Sequence, residues 1–154
     1  MNIKKLATLI ALTSSAFIGT HVAAESTTGN AAVVILETLT FNEVATVDFG
    51  SIPKADGTCT MATDGSLSGQ CAGRPNGTLG DFTVSGSANQ AVNVSVSNGS
   101  TSGGVTFNPV LDSSATPTLD GSGDTTVNVR GNLVLASAVV GAKALTYTLT
   151  VDYQ

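Results

Sequence analysis

From Leu145 to Tyr153 apolar side chains fall on every second position, with Thr146, Thr148, Thr150 and Asp152 between them. A period of two places Leu145, Tyr147, Leu149, Val151 and Tyr153 on one face of an extended strand and the polar residues on the other. The pattern stops one residue before Gln154, so no hairpin partner follows it in this sequence. One edge of it must pair with an earlier segment or with another chain.

The same alternation recurs upstream. Phe82 and Val84 alternate with Thr83 and Ser85, and Val92, Val94 and Val96 with Asn93, Ser95 and Ser97. Val105, Phe107 and Pro109 alternate with Thr106 and Asn108, whereas Leu133 and Leu135 flank Val134 in a run that reads as covered on both sides. Strands are predicted over 33–41, 44–49, 58–62, 81–85, 91–97, 105–111, 125–129, 132–136 and 144–153. Between them lie turn sequences such as Pro53-Lys-Ala-Asp-Gly57, Arg74-Pro-Asn-Gly77 and Asp120-Gly-Ser-Gly-Asp124, where Gly and Asn supply positive φ and Pro fixes φ. No stretch after residue 24 carries helical periodicity, and no repeat of twenty to fifty residues is visible. An all-β sandwich or barrel of antiparallel strands follows, each strand burying one face. Phe49, Phe82, Phe107 and Tyr147 are its largest predicted core pieces.

Ala31 to Phe41 is the most apolar strand candidate, and two roles are open to it. It can be the first strand of the protein's own sandwich. It can equally be a donor strand that enters a groove on a neighbouring copy, with backbone pairing for affinity and alternate side chains for pockets. Val33, Ile35, Leu39 and Phe41 share one face, interrupted by Glu37.

The N-terminus changes the inventory. Lys4 and Lys5, an apolar stretch from Leu6 to Ile18, and Val22-Ala23-Ala24 read as a secretory signal of bacterial type covering residues 1–24. The longest later apolar run, Ala31 to Leu36, is too short for a transmembrane helix. Loss of the signal removes His21, the single histidine, and leaves four basic residues against eleven acidic ones, a formal net charge of −7 (4 − 11). That balance disfavours nucleic acid, which needs clustered Lys and Arg. Cys59 and Cys71 are the only cysteines, and in an oxidising compartment they are expected to close a disulfide across a β-hairpin.

Catalysis is disfavoured. Without His, neither Ser-His-Asp machinery nor the usual zinc sets are available. Asp56, Asp64, Asp112, Asp120 and Asp124 all stand in turn contexts, and Asp120 to Asp124 lacks the ligand number of a calcium loop. No catalytic residue, metal site or cofactor is expected. The absence of Trp and the presence of only two Tyr also leave no aromatic platform for a sugar-binding module.

The C-terminus resembles that of pilin subunits assembled by the chaperone–usher pathway. Gly141 stands fourteenth from the end, followed by the Leu145, Tyr147, Leu149, Val151 alternation and the penultimate Tyr153. This resemblance implies an incomplete immunoglobulin-like fold lacking its last strand. A periplasmic chaperone would fill the gap first, an outer-membrane usher would take the subunit, and the N-terminal extension of another subunit would fill the gap afterwards. The chain is also similar, across 31–154, to a bacterial secreted domain family of unknown function, through Val47-Asp-Phe-Gly50, Phe82-Thr-Val-Ser-Gly86 and Tyr147-Thr-Leu-Thr-Val-Asp-Tyr153. The expected organisation is a signal at 1–24, a leader and donor or first strand at 25–43, and an immunoglobulin-like sandwich at 44–154. The expected function is a structural subunit of a bacterial surface fimbria, supporting adhesion and self-assembling by strand complementation. The alternative is a monomeric surface binding module.

Overall fold

A computed structural model describes residues 28–97 and 99–154. The secretory signal expected at 1–24 lies outside the described residues. Contacts divide the chain at Val33, and residues 34–154 form one compact unit. Residues 28–33, taken by themselves, form neither helix nor strand and are exposed.

The described chain is all-β and contains no helix. Its strands are β1 (Thr40–Ala45), β2 (Gly57–Met61), β3 (Leu67–Gly69), β4 (Gly80–Ser85), β5 (Val92–Ser97), β6 (Thr101–Ser102), β7 (Val105–Leu111), β8 (Asp124–Leu135) and β9 (Thr148–Tyr153). Every pairing among them is antiparallel. Strand β8 is the spine of the larger sheet: β4 pairs with its first half, β2 with its second half, and β7 with residues 129–135. Strand β1 joins this sheet only through β4, and β5 and β9 form a second, two-stranded sheet. The two sheets pack as a sandwich, as the alternation predicts.

Period-two burial explains the packing. From Val127 to Leu135 every odd-numbered residue of β8 is buried, and Phe82, Val84, Val92 and Val94 point inward from their own strands. One apolar cluster gathers Phe82, Val84, Val92, Val94, Leu119, Val127 and Val129. A second holds Phe49, Met61, Val105, Phe107, Leu133 and Leu135 around the half-cystines. Val47 and Tyr147 pack against both clusters and join them.

Several boundaries differ from the sequence reading. The strands predicted at 125–129 and 132–136 are one twelve-residue strand, β8. Gly131 lies inside it because a Cβ there would meet the Phe107 ring at 2.5 Å. Val134 is 38% exposed, so this part of β8 is covered on one face only. The strand predicted at 33–41 begins only at Thr40, and the terminal strand begins at Thr148 rather than at residue 144.

Cys59 and Cys71 are bonded across the β2–β3 hairpin, with Cα atoms 5.2 Å apart. Both are fully buried among Met61 and Leu67. Opening a loop of this size costs about 3 kcal/mol in the chain-entropy account. The double variant Cys59→Ala/Cys71→Ala should therefore lose about 3 kcal/mol in urea unfolding, beyond any cavity effect. An unchanged urea midpoint would show that the hairpin is held by packing alone.

Candidate functional site

Among the described residues, strand β9 has a partner along one edge, β5. Gln154 N–H donates to the carbonyl of Ala91 (3.1 Å), and Ser100 N–H to the carbonyl of Thr146 (2.8 Å), so even-numbered residues of this segment turn their backbone groups toward β5. In an antiparallel ladder the hydrogen-bonding direction alternates residue by residue. The backbone groups of Tyr147, Leu149, Val151 and Tyr153 therefore point away from β5, and no described strand pairs with them. The far edge of β5 is closed by Val92 N–H to Pro117 O (3.0 Å) and Val94 N–H to Ala115 O (2.8 Å).

Beside this unpaired edge lies a groove of about 1190 Å³. Residues 138–149 form one wall, and the other is built from β1 and the segment after it, including Phe41, Glu43 and Val47. Strand β1 is itself an edge, paired with β4 alone. The groove thus lies between the β1 edge and the segment leading into β9, and it reaches β9 itself at Thr148 and Leu149.

Aromatic rings line it. Phe82 meets Tyr147 edge-to-face at 6.3 Å, Tyr147 meets Phe107 at 5.6 Å, and Phe107 meets Phe49 at 6.0 Å. All four rings border the groove, together with Leu133 and Leu135. Edge-to-face pairs of this kind add to area burial and fix ring positions. Leu145, Tyr147, Leu149, Val151 and Tyr153 face the core as predicted yet stay half-buried, because no strand covers their open side. Gly141 adopts φ of +118°, a conformation side chains resist, at the bend that leads into this wall.

Tyr147 packs against both apolar clusters. Its hydroxyl is buried without a hydrogen-bond partner among the described residues. Gly80 leaves room for it, since a Cβ there would stand 2.9 Å from Tyr147 Oη. Burial, reinforced by the Glu43 carboxylate, pushes the phenol up to about 12.

The candidate donor residues divide into two groups. Val33 is 84% exposed and Ile35 is 88% exposed, and neither lies in a strand. Leu39 packs half-buried against the first-described cluster, and Phe41 lies in β1 opposite Val84, where it borders the groove. The predicted donor face from Val33 to Phe41 is therefore split: Leu39 and Phe41 are engaged within their own chain. Among the described residues the exposed apolar stretch is 31–35, and Leu36 is half-buried.

The turn at Asp120 has a local role. Its carboxylate accepts from Ser122 N–H (2.8 Å) and Asp124 N–H (3.0 Å), and these bonds, led by the one from Asp124, hold it below the usual carboxylate range. Arg130 and Asp112 form a partly buried ion pair (2.6 Å) beside β8.

Comparison with protein-family models, curated proteins and solved structures finds no match for this chain.

The raised Tyr147 phenol links stability to alkaline pH. The unfolded chain releases this proton near the ordinary value of 10 while the folded chain keeps it to about 12. The contribution is fully present below pH 10 and is lost as pH rises through 12. Urea midpoints at pH 9, 11 and 12 should fall less steeply for Tyr147→Phe than for the native chain. Equal slopes would remove Tyr147 as the source.

Proposed function

We propose that this protein is a structural subunit of a surface filament, built by strand complementation between copies. The observation that carries the reading is a groove with an aromatic floor, between the β1 edge and the segment leading into β9, on a chain that also displays exposed Val33, Val34 and Ile35. The occupant is residues 31–36 of a second copy. Six extended residues span about 20 Å. The groove wall runs from Ala138 to Leu149, so a segment of this length has room to lie along the part nearest β9.

The physical logic is that of edge pairing. An incoming strand satisfies the outward backbone groups of β9, and Val33 and Ile35 lie on one face to meet the aromatic floor. Val34 and Leu36 take the opposite face. Left open, the same edge and groove are an aggregation hazard, which gives a protective partner a purpose during transit. The resemblance of Gly141 to Tyr153 to chaperone–usher subunits supports a periplasmic chaperone as that first partner, with an outer-membrane usher next. It also supports export to the bacterial surface, with adhesion as the role of the assembled filament.

The test uses the chain from Glu25 onward, refolded over a range of concentrations and run unheated and boiled on a denaturing gel. A ladder of heat-sensitive multimers is expected, and Val33→Asp/Ile35→Asp should abolish it while leaving the monomer's urea midpoint unchanged. A native chain that stays monomeric at every concentration, or a ladder indifferent to the two charges, would overturn the proposal.

A further inference from the structure

A subunit that carries both a groove and a segment able to fill it faces a competition. Its own leader can close the groove in cis, which requires no second molecule and ends assembly. The structure contains a feature placed to prevent this.

Three hydrogen bonds tie the leader to the end of β9. Glu37 N–H donates to Ser87 Oγ (2.6 Å), Ser87 N–H donates to Tyr153 Oη (2.7 Å), and Tyr153 Oη donates to the carbonyl of Glu37 (2.9 Å). Both backbone groups of Glu37 are thereby occupied. The preceding residue on the Ser87 side, Gly86, leaves space for this arrangement, because a Cβ there would collide with Tyr153 Oη and approach Leu39 Cδ2 to 2.8 Å. Leu39 packs against the same cluster as Tyr153 and fixes the chain on the other side of Glu37.

The anchor decides which closures are available. It holds Glu37 at the C-terminal end of β9. A leader running from that point along the open edge would pass from 31 to 36 in the same sense as β9, and so could pair only in parallel. It would also need the backbone groups of Glu37 beside Tyr153, and two of the three hydrogen bonds already use them. A segment from another molecule carries no such anchor and can enter antiparallel, the more stable pairing per residue. None of residues 34–40 borders the groove.

We infer that Tyr153, acting with Ser87, is a positioning residue that clamps the leader at Glu37 and keeps it out of its own groove, so that residues 31–36 are delivered to a neighbour. This rests on the filament reading and adds to it the means by which exchange between molecules wins over self-closure. It also gives the hydroxyl of Tyr153 a role that strand alternation alone does not require.

The experiment compares the native chain from Glu25 with Tyr153→Phe and Ser87→Ala. Each is refolded at low concentration with a fluorescent peptide of residues 28–38 in excess, then assayed for bound peptide, multimer ladder and amide exchange. Tyr153→Phe removes two of the three hydrogen bonds, and a loss of that size corresponds to roughly a tenfold shift toward self-closed monomer. Peptide capture and ladder should fall by that factor, while amides of residues 31–36, open in the native monomer, become protected in the variant monomer. Simple weakening of the fold would leave those amides unprotected. Ser87→Ala should move the same way by a smaller factor, Ser87→Thr should restore native behaviour, and the Ser87 variants carry the test if Tyr153→Phe does not fold. Native-like capture and ladder with residues 31–36 still open in Tyr153→Phe or Ser87→Ala would overturn the clamp and leave the filament reading standing. A native chain that neither captures peptide nor multimerises would overturn both.

Discussion

A β-strand has two hydrogen-bonding edges, and β9 satisfies one of them. Everything distinctive about this molecule follows from the other. Because β1 is committed to β4 and β9 to β5, the two sheets meet along one side of the sandwich without a strand to bridge them. The residues that would lie beneath such a strand are Phe82, Tyr147, Phe107 and Phe49, and they border open space instead of a neighbour. A sandwich that closed this seam internally would bury those rings.

Tyr147 shows how tightly the open seam is nonetheless organised. It is the one aromatic residue that packs against both apolar clusters, and it touches Phe82 on one side and Phe107 on the other. Its hydroxyl sits in the space that Gly80 vacates. The groove is thus preformed by packing inside the subunit. Fixed walls lower the ordering cost for whatever enters, since fewer side chains must be immobilised on binding.

Much of the architecture was legible from alternation because one buried face imposes a period of two that single residues can report. The β4, β5 and β9 patterns are of this kind, and so is the hairpin bridged by Cys59 and Cys71. The N-terminal run was harder, since hydrophobicity signals that a segment needs a partner without saying where the partner is. Leu39 found one within the chain; Phe41 pairs its backbone with β4 while its ring stays largely exposed, and Val33 and Ile35 are exposed. The groove itself was not readable, because its floor is assembled from strands far apart in sequence. The same holds for the Tyr153 clamp, whose partners lie 66 and 116 residues away.

The bridge between Cys59 and Cys71 has one further consequence, which concerns time. Neither sulfur has any exposure in the finished fold. An oxidant can therefore reach the thiols only while the β2–β3 hairpin is still loose, and a reductant can reach the bond only after that region has opened again. Sulfur chemistry at this bridge therefore waits on an open state of the region, before the surrounding core closes or after it has reopened, so the rate of that opening sets the rate at which the bond can form or break.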